Sequence, residues 1–259
     1  MIPGSAIKCV APIVLLCAST VGAQTESPVV GVGPFLHIVA DLDQSLAFYH
    51  DQLGLELSGP AGEHKFTDNP AVANLYGVPG KQFRAAVLKI PGSAMGIELV
   101  QWSEAQKPKS EPLVGRGAAT LIIRRAETTK MLHDPDGFAV EVEHSGNPGA
   151  ELSVNVSDVS KTAALYDSVL GLKADRIGFS KAKIIDGGDA PFPQAGQGVL
   201  RVFVRNIDVL TASLKSAGFS VITTGGLPVT LPQGQRVIIL RDPNNFYVQL
   251  FETHQSEKR

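Results

Sequence analysis

Asp41–Leu55 reads DLDQSLAFYHDQLGL, and Asp158–Leu172 reads DVSKTAALYDSVLGL. Aligned end to end, the two share an opening Asp, an internal Tyr and a closing Leu-Gly-Leu. An Asp ahead of an apolar-periodic run suits a helix N-cap, and Gln44 can complete a capping box in the first copy. Leu42, Leu46, Tyr49 and Leu53 recur at helical spacing, matched by Val159, Ala163, Tyr166 and Leu170. Gly54 and Gly171 stand where a left-handed residue ends a helix. The apolar stretches Phe35–Ala40 and Leu152–Ser157 precede the two helices and read as strands. The unit is therefore strand, capped helix, glycine, strand.

A second repeat lies further along. His133–His144 (HDPDGFAVEVEH) matches Arg241–Glu252 (RDPNNFYVQLFE). Pro fixes one φ of such a turn, and Gly or Asn accepts positive φ, so each segment predicts a hairpin. Upstream, Gly117–Arg125 (GAATLIIRR) resembles Gly198–Asn206 (GVLRVFVRN), again as strands, and the latter leads into a helix carrying Ile207, Leu210 and Leu214 and closed by Gly218. A repeat of this period governs the whole fold. The chain reads as four starts of one module, grouped as a pair over 31–146 and a pair over 149–253. The copies are uneven. Between Arg124 and Asp134 there is only RAETTKMLH, too little for a helix and two strands, and Lys181–Gly198 hardly holds the closing strands of the third copy. Modules two and three are shortened, so sheet is left bare unless a second subunit, as in a homodimer, covers it.

The FY…LGL helix and the DPDG-type hairpin, in this order and repeated, resemble the vicinal-oxygen-chelate superfamily of glyoxalases, bleomycin-resistance proteins and dioxygenases, over nearly all of the chain after about Gly31. The resemblance implies an α+β fold of tandem βαβββ modules, paired into cups around a small molecule. It also implies a divalent metal (Mn, Mg, Fe, Ni or Zn) that chelates two substrate oxygens in a lyase, isomerase or dioxygenase. The implied first-strand ligand positions fall on Pro34, Ala118, Glu151 and Val199. The last-strand positions fall on Glu98, Glu141 and Gln249. Neither pair carries a full ligand set, so the expectation is an exported protein that binds a small organic molecule without a complete metal site. The alternative is a metal-dependent lyase, isomerase or ring-cleaving dioxygenase using Glu98 and Glu141. A third reading makes the shortened modules assembly surfaces.

His37 offers an imidazole near the ligand position, but strand alternation points it toward the helix layer. Glu98 and Glu141, facing a sheet interior, need either a metal or an arginine such as Arg84, Arg124 or Arg125. Glu151 is a further carboxylate at a ligand position. His64, in a loop, and His144, at a strand end, read as solvated, and His133 shares its place with Arg241. The long connection Ser58–Gln82 reads either as a lid or as a surface excursion. As a lid it would lay Leu75 and Tyr76 over the cup, with Arg84 at the edge to meet an anionic substrate. Trp102, the only tryptophan, ends a strand and reads either as packing or, with Tyr76, Arg84 and Glu98, as a substrate-binding residue. The Gly/Pro-rich stretch Gly187–Gly198 reads as a loop without phosphate-loop spacing. No catalytic residue is legible.

Composition excludes several classes. The chain has 259 residues, 44% hydrophobic and 19% charged, with a net charge of -2. That balance gives no basic footprint for nucleic acid and no basic amphipathic stretch for a membrane surface. Residues 1–23 read as a signal peptide: Lys8, the apolar Cys9–Ala18, then Val21-Gly22-Ala23 before cleavage. Both cysteines, Cys9 and Cys17, fall inside it. The expected mature protein is secreted or periplasmic, lacks a membrane span, and has no disulfide or thiol chemistry.

Overall fold

The computed structural model describes residues 28–59, 64–104, 116–172, 177–181 and 192–253. The predicted signal peptide and the start of the Gly/Pro-rich stretch lie outside them. Module one contains β1 (Val29–Val32), β2 (Phe35–Val39), α1 (Leu42–Leu46) running on as a π-turn over Ala47–Gln52, and β3 (Glu56–Ser58). It continues with α2 (Pro70–Leu75), β4 (Phe83–Lys89) and β5 (Gly96–Trp102). Module two is three strands, β6 (Ala119–Arg125), β7 (Lys130–His133) and β8 (Ala139–His144). Module three gives β9 (Gly149–Val156), α3 (Val159–Leu170) and β10 (Gly178–Lys181). Module four gives β11 (Gly198–Val204), α4 (Ile207–Ser216), β12 (Ser220–Val221), a 3-10 turn at Thr224–Gly226, β13 (Val229–Thr230), β14 (Arg236–Arg241) and β15 (Tyr247–Glu252).

The repeated helices form for the reasons their sequences carry. Asp41 accepts from the backbone N–H groups of Asp43 and Gln44, and Asp158 accepts from that of Lys161. Gln44 closes its cap by donating Nε2 to the Asp41 carboxylate. Gly54 and Gly171 adopt φ of 68° and 62°, the left-handed geometry a helix end requires. Both Asp-Pro turns close tightly, with Gly137 at φ 82° and Asn245 at φ 68°. In module two the chain passes from β6 to β7 without a helix, as its length demanded.

Hydrogen bonding groups the modules across the chain. The larger sheet has the order β12-β14-β15-β11-β2-β5-β4-β3, with β1 on β11 and β13 on β14, so modules four and one share it. Their seam is antiparallel and lies along β11: β1 pairs with it at Val29 opposite Val204 and Val32 opposite Val202, and β2 at His37 opposite Gly198 and Leu36 opposite Val199. The smaller sheet has the order β10-β9-β6-β8-β7 and joins modules three and two through β6 and β9. In sequence the modules succeed one another as two pairs; in the sheets, one pairs with four and two with three.

Alternation along each strand divides the apolar residues between two cores. Phe35, Val39, Ile97, Leu99, Leu200, Val202, Val248 and Leu250 join residues of the smaller sheet and the helices in the main core. Leu36, Ile38, Val100, Trp102, Val199, Val237, Ile239 and Tyr247 point the other way and form a second cluster in the cup of the larger sheet. No helix among the described residues is long and apolar enough to cross a membrane.

Candidate functional site

The cup is built from the even-parity residues of β2 and β5 and their counterparts on β11, β14 and β15. The connection between β3 and β4 folds over it. Asn69 caps α2, with Pro70 opening the helix, and Ala73, Leu75 and Tyr76 are buried against Trp102, Ile38 and Tyr247. The Thr223 hydroxyl donates to the Leu75 carbonyl and ties this cover to module four. Tyr76 packs on Trp102 with ring centroids 5.1 Å apart, and Phe192 stacks between Tyr76 (5.7 Å) and Tyr247 (4.2 Å). The cup thus has an aromatic end made of four rings from four segments. Trp102 Nε1 is buried there and finds no hydrogen-bond partner among the described residues. An indole N–H left without an acceptor costs on the order of 1–3 kcal/mol.

The other end is ionic. Glu98 lies on the cup face of β5, and its carboxylate meets Arg201 Nη2 at 2.8 Å. Arg201, on β11, also donates Nε to the Gln249 side-chain oxygen at 2.6 Å. Its stem crosses Gly33, where a Cβ would come within 2.9 Å of Arg201 Cδ and of the Phe203 ring. Burial raises the Tyr76 hydroxyl far above its usual range, and the nearby Glu98 charge adds to this while Arg201 opposes it. Glu98 and Gln249 are two of the positions where the resemblance implies metal ligands; Pro34 and Val199, the other two in this cup, offer no donor atom. A guanidinium bridges the two that remain. The residues present therefore do not fit a metal in this cup.

On the opposite face of β2 lies a second polar cluster. His37 is fully buried among Phe35, Phe138 and Tyr49. Its Nε2 lies 2.6 Å from Asp134 Oδ2, and its Nδ1 lies 3.1 Å from the Gln197 carbonyl. A carbonyl can only accept, so Nδ1 carries a proton. Asp134 also accepts the Tyr49 hydroxyl and the backbone N–H groups of Asp136 and Phe138. Burial alone would lower the His37 imidazole and raise the Asp134 carboxyl. Their mutual attraction reverses both, so His37 sits above its ordinary value and Asp134 below. Asp136 accepts from the Ala40 N–H. Ligand atoms of His37, Asp134 and Asp136 all lie within 4.8 Å of one another, close enough to hold one metal ion.

Modules three and four repeat this cluster without the imidazole. Tyr166 donates to Asp242, whose other oxygen accepts from Asn244 and Phe246. Val154 holds the position of His37. Burial raises the Asp242 carboxyl above its ordinary value, against the opposing hydrogen bonds from Phe246, Tyr166 and Asn244. Each tyrosine reaches from one sheet's helix to a turn of the other sheet, so the two Tyr–Asp bonds tie the sheets together.

The remaining sequence-derived candidates scatter. Arg84 has the opposite parity from Phe83 and Ala85; it leaves the cup and binds Gln101 Oε1 and Asp43, with Phe66 beneath it. Glu141 lies on β8 in the smaller sheet, opposite Ile122, and so in a different sheet from Glu98. Glu151 shares that outer face and pairs with Arg124, which also holds Glu143. The partner of Glu98 is Arg201, not Arg84, Arg124 or Arg125. Half-buried His64 gives its carbonyl to Arg84, and His133 and His144 are exposed. The sequence reading missed Arg201, Phe192, Tyr247 and Asp134. Parity on β11 would have put Arg201 in line with Val199, but its partners lie on strands distant in sequence.

No family model matches the chain, and no curated protein matches it in sequence. Solved structures do. Glyoxalase I from Zea mays is similar at 14% identity and a TM-score of 0.56, over 86% of this chain and 92% of that one. A Glu-to-Gln variant of the maize protein gives a TM-score of 0.58 at 13% identity, over 86% and 93%. A candidate dioxygenase from Bacillus subtilis gives 0.53 at 15%, over 87% and 86%. At such identities the likeness speaks for the fold. The chain has the α+β fold of these glyoxalase and dioxygenase structures.

Proposed function

We propose that this protein binds a small organic molecule in the cup of modules one and four, without a metal in that cup. The buried, unpartnered Trp102 Nε1 within the aromatic cluster carries the reading. An indole N–H among four rings matches a ligand with a planar or apolar body and one acceptor oxygen or nitrogen. The cover formed by α2 and Tyr76 has to shift for entry, and it hangs from few bonds, among them that of Thr223 to Leu75. Because Trp102 is the only tryptophan, its emission reports on the cup alone. Titration of the tag-free protein with a panel of aromatic acids, amides and alcohols should change that emission and raise the melting temperature together. Stabilisation by a ligand with no change in Trp102 emission would place binding elsewhere and refute the reading.

A divalent-metal enzyme is the second reading, favoured by the mutual approach of His37, Asp134 and Asp136. It ranks lower because both ring nitrogens of His37 already have partners and the cluster is sealed in the main core. Glu98 and Glu141, in separate sheets, do not suit one shared ion. Thermal shift with Mn²⁺, Ni²⁺, Zn²⁺ and Fe²⁺ decides between the two readings. Stabilisation by any of them that disappears in Asp136→Asn would favour the metal. We further propose export: the apolar run Cys9–Ala18 followed by Val21-Gly22-Ala23 supports it, and the N-terminal residue of protein recovered from the cell envelope or medium tests it.

A further inference from the structure

Arg201 is held on every side but one. Gly33 lets its stem lie against the β1–β2 backbone. Gln249 takes Nε, Glu98 takes Nη2, and the guanidinium carbon stands 5.6 Å from the centre of the Phe251 ring. Nη1 has no acceptor among the described residues. The Arg201 side chain keeps 16% of its exposure and Glu98 keeps 21%, so this end of the cup is reached by solvent. The aromatic end is sealed, with Tyr76 at 3% and Trp102 at 4%. Glu98 and Trp102 lie on the same face of β5, about 13 Å apart along the strand at two residues per ~6.6 Å. The cup face is therefore amphipathic, ionic at Arg201 and Glu98 and aromatic at Tyr76, Trp102, Phe192 and Tyr247.

We propose that Arg201 is the recognition group of this cup, standing in the place of a metal ion and binding the carboxylate of a ligand whose apolar body lies among Tyr76, Trp102, Phe192 and Tyr247. The inference rests on the reading of the cup as a ligand site. A planar guanidinium offers paired donors that fit a carboxylate's two oxygens, which a lysine ammonium does not. With Nε and the stem fixed, the guanidinium is oriented before the ligand arrives, so little freedom is lost on binding. The ligand carboxylate takes Nη1 and competes with Glu98 for Nη2. Glu98 thus acts as a resident stand-in for the anion and opposes it by like charge. Removing the Arg201 charge and removing the Glu98 charge must then have opposite effects on the same ligand.

The test uses 3-phenylpropionate and its neutral amide as probes, with Trp102 emission as the readout and EDTA present throughout. The wild type should bind the acid about tenfold or more tightly than the amide, the scale of one charge-assisted hydrogen bond. Arg201→Met should abolish that preference and leave amide affinity within about twofold, while Arg201→Lys, which keeps the charge without the fork, should retain part of it. Glu98→Gln should tighten the acid and leave the amide unchanged. Equal affinities in the wild type, a preference that survives in Arg201→Met, or weaker acid binding in Glu98→Gln would each overturn the proposal. Amide binding that remains in those cases keeps the cup reading alive. If neither probe changes Trp102 emission, the cup reading falls with it. A purely structural Arg201 would lower both affinities together, and circular dichroism of each variant checks the fold.

Discussion

Replacing His37 by Leu isolates the buried ion pair, because the protein carries its own reference for the result. In the repeat, Val154 holds the equivalent position and Asp242 keeps the same Tyr hydroxyl and two backbone N–H bonds that Asp134 receives. His37→Leu keeps much of the volume among Phe35, Phe138 and Tyr49 and removes only the cation. Breaking a buried pair costs about 3–5 kcal/mol. Three hydrogen bonds still hold Asp134, so the lower end, about 3 kcal/mol, is expected. For a chain of this size that lowers the melting temperature by about 6–12 °C.

The pH dependence sharpens the test. A histidine raised in the folded state contributes fully below its ordinary value of 6.5, and that contribution fades as pH climbs through the raised value. A carboxyl lowered in the folded state contributes fully above its ordinary 3.8 and fades as pH falls through the lowered value. The pair therefore stabilises most between those two limits. In His37→Leu, Asp134 is left like Asp242, raised by burial, so its contribution lies on the acid side and declines as pH rises. Urea unfolding at stepped pH, followed by circular dichroism, should show the largest difference between wild type and variant at pH 5–6.5, shrinking above it. Equal stability at pH 6, or a difference that stays flat from pH 5 to 9, refutes the ion pair.

Asp134→Asn and Asp242→Asn make a matched comparison by the same unfolding assay. The first should cost about 3 kcal/mol at neutral pH by leaving His37 without its counter-charge. The second should cost about 1 kcal/mol, since Asp242 is held by hydrogen bonds from Tyr166, Asn244 and Phe246 that an amide can largely replace, and it should flatten the acid-side gain of the raised Asp242. Equal costs would remove the case for ionisation at Asp134. Gly33→Ala puts a Cβ 2.9 Å from Arg201 Cδ and the Phe203 ring. The overpacking should cost about 1–3 kcal/mol and displace the guanidinium, so thermal unfolding and acid-probe affinity should both fall; an unchanged melting temperature would show that the stem moves freely. Arg124→Met should cost under about 1 kcal/mol, because the Arg124–Glu143–Glu151 group is partly exposed and screened, and the cost should fall further in high salt.

Capped helices, left-handed glycines and Asp-Pro turns are set by a few neighbouring residues, so Asp41, Gly54, Asp158, Gly171, Gly137 and Asn245 announce their structure from the chain itself. Strand alternation is as local, and it puts His37 on the helix side and Glu98 on the cup side before any contact is known. Length alone exposes the missing helix of module two. The pairing of module one with module four belongs to tertiary structure: the seam of β1 and β2 along β11 carries no mark in any of these strands, and hydrophobic strands of similar pattern can pair in several ways. The same holds for Glu98 and Arg201, far apart in sequence and joined only because that seam brings β5, β2, β11 and β15 side by side. Sequence thus determined the modules, since propensity and periodicity act over a few residues. Tertiary structure decided which modules share a cup, and that a guanidinium stands in it, because long-range packing chooses among partners that local chemistry leaves equivalent.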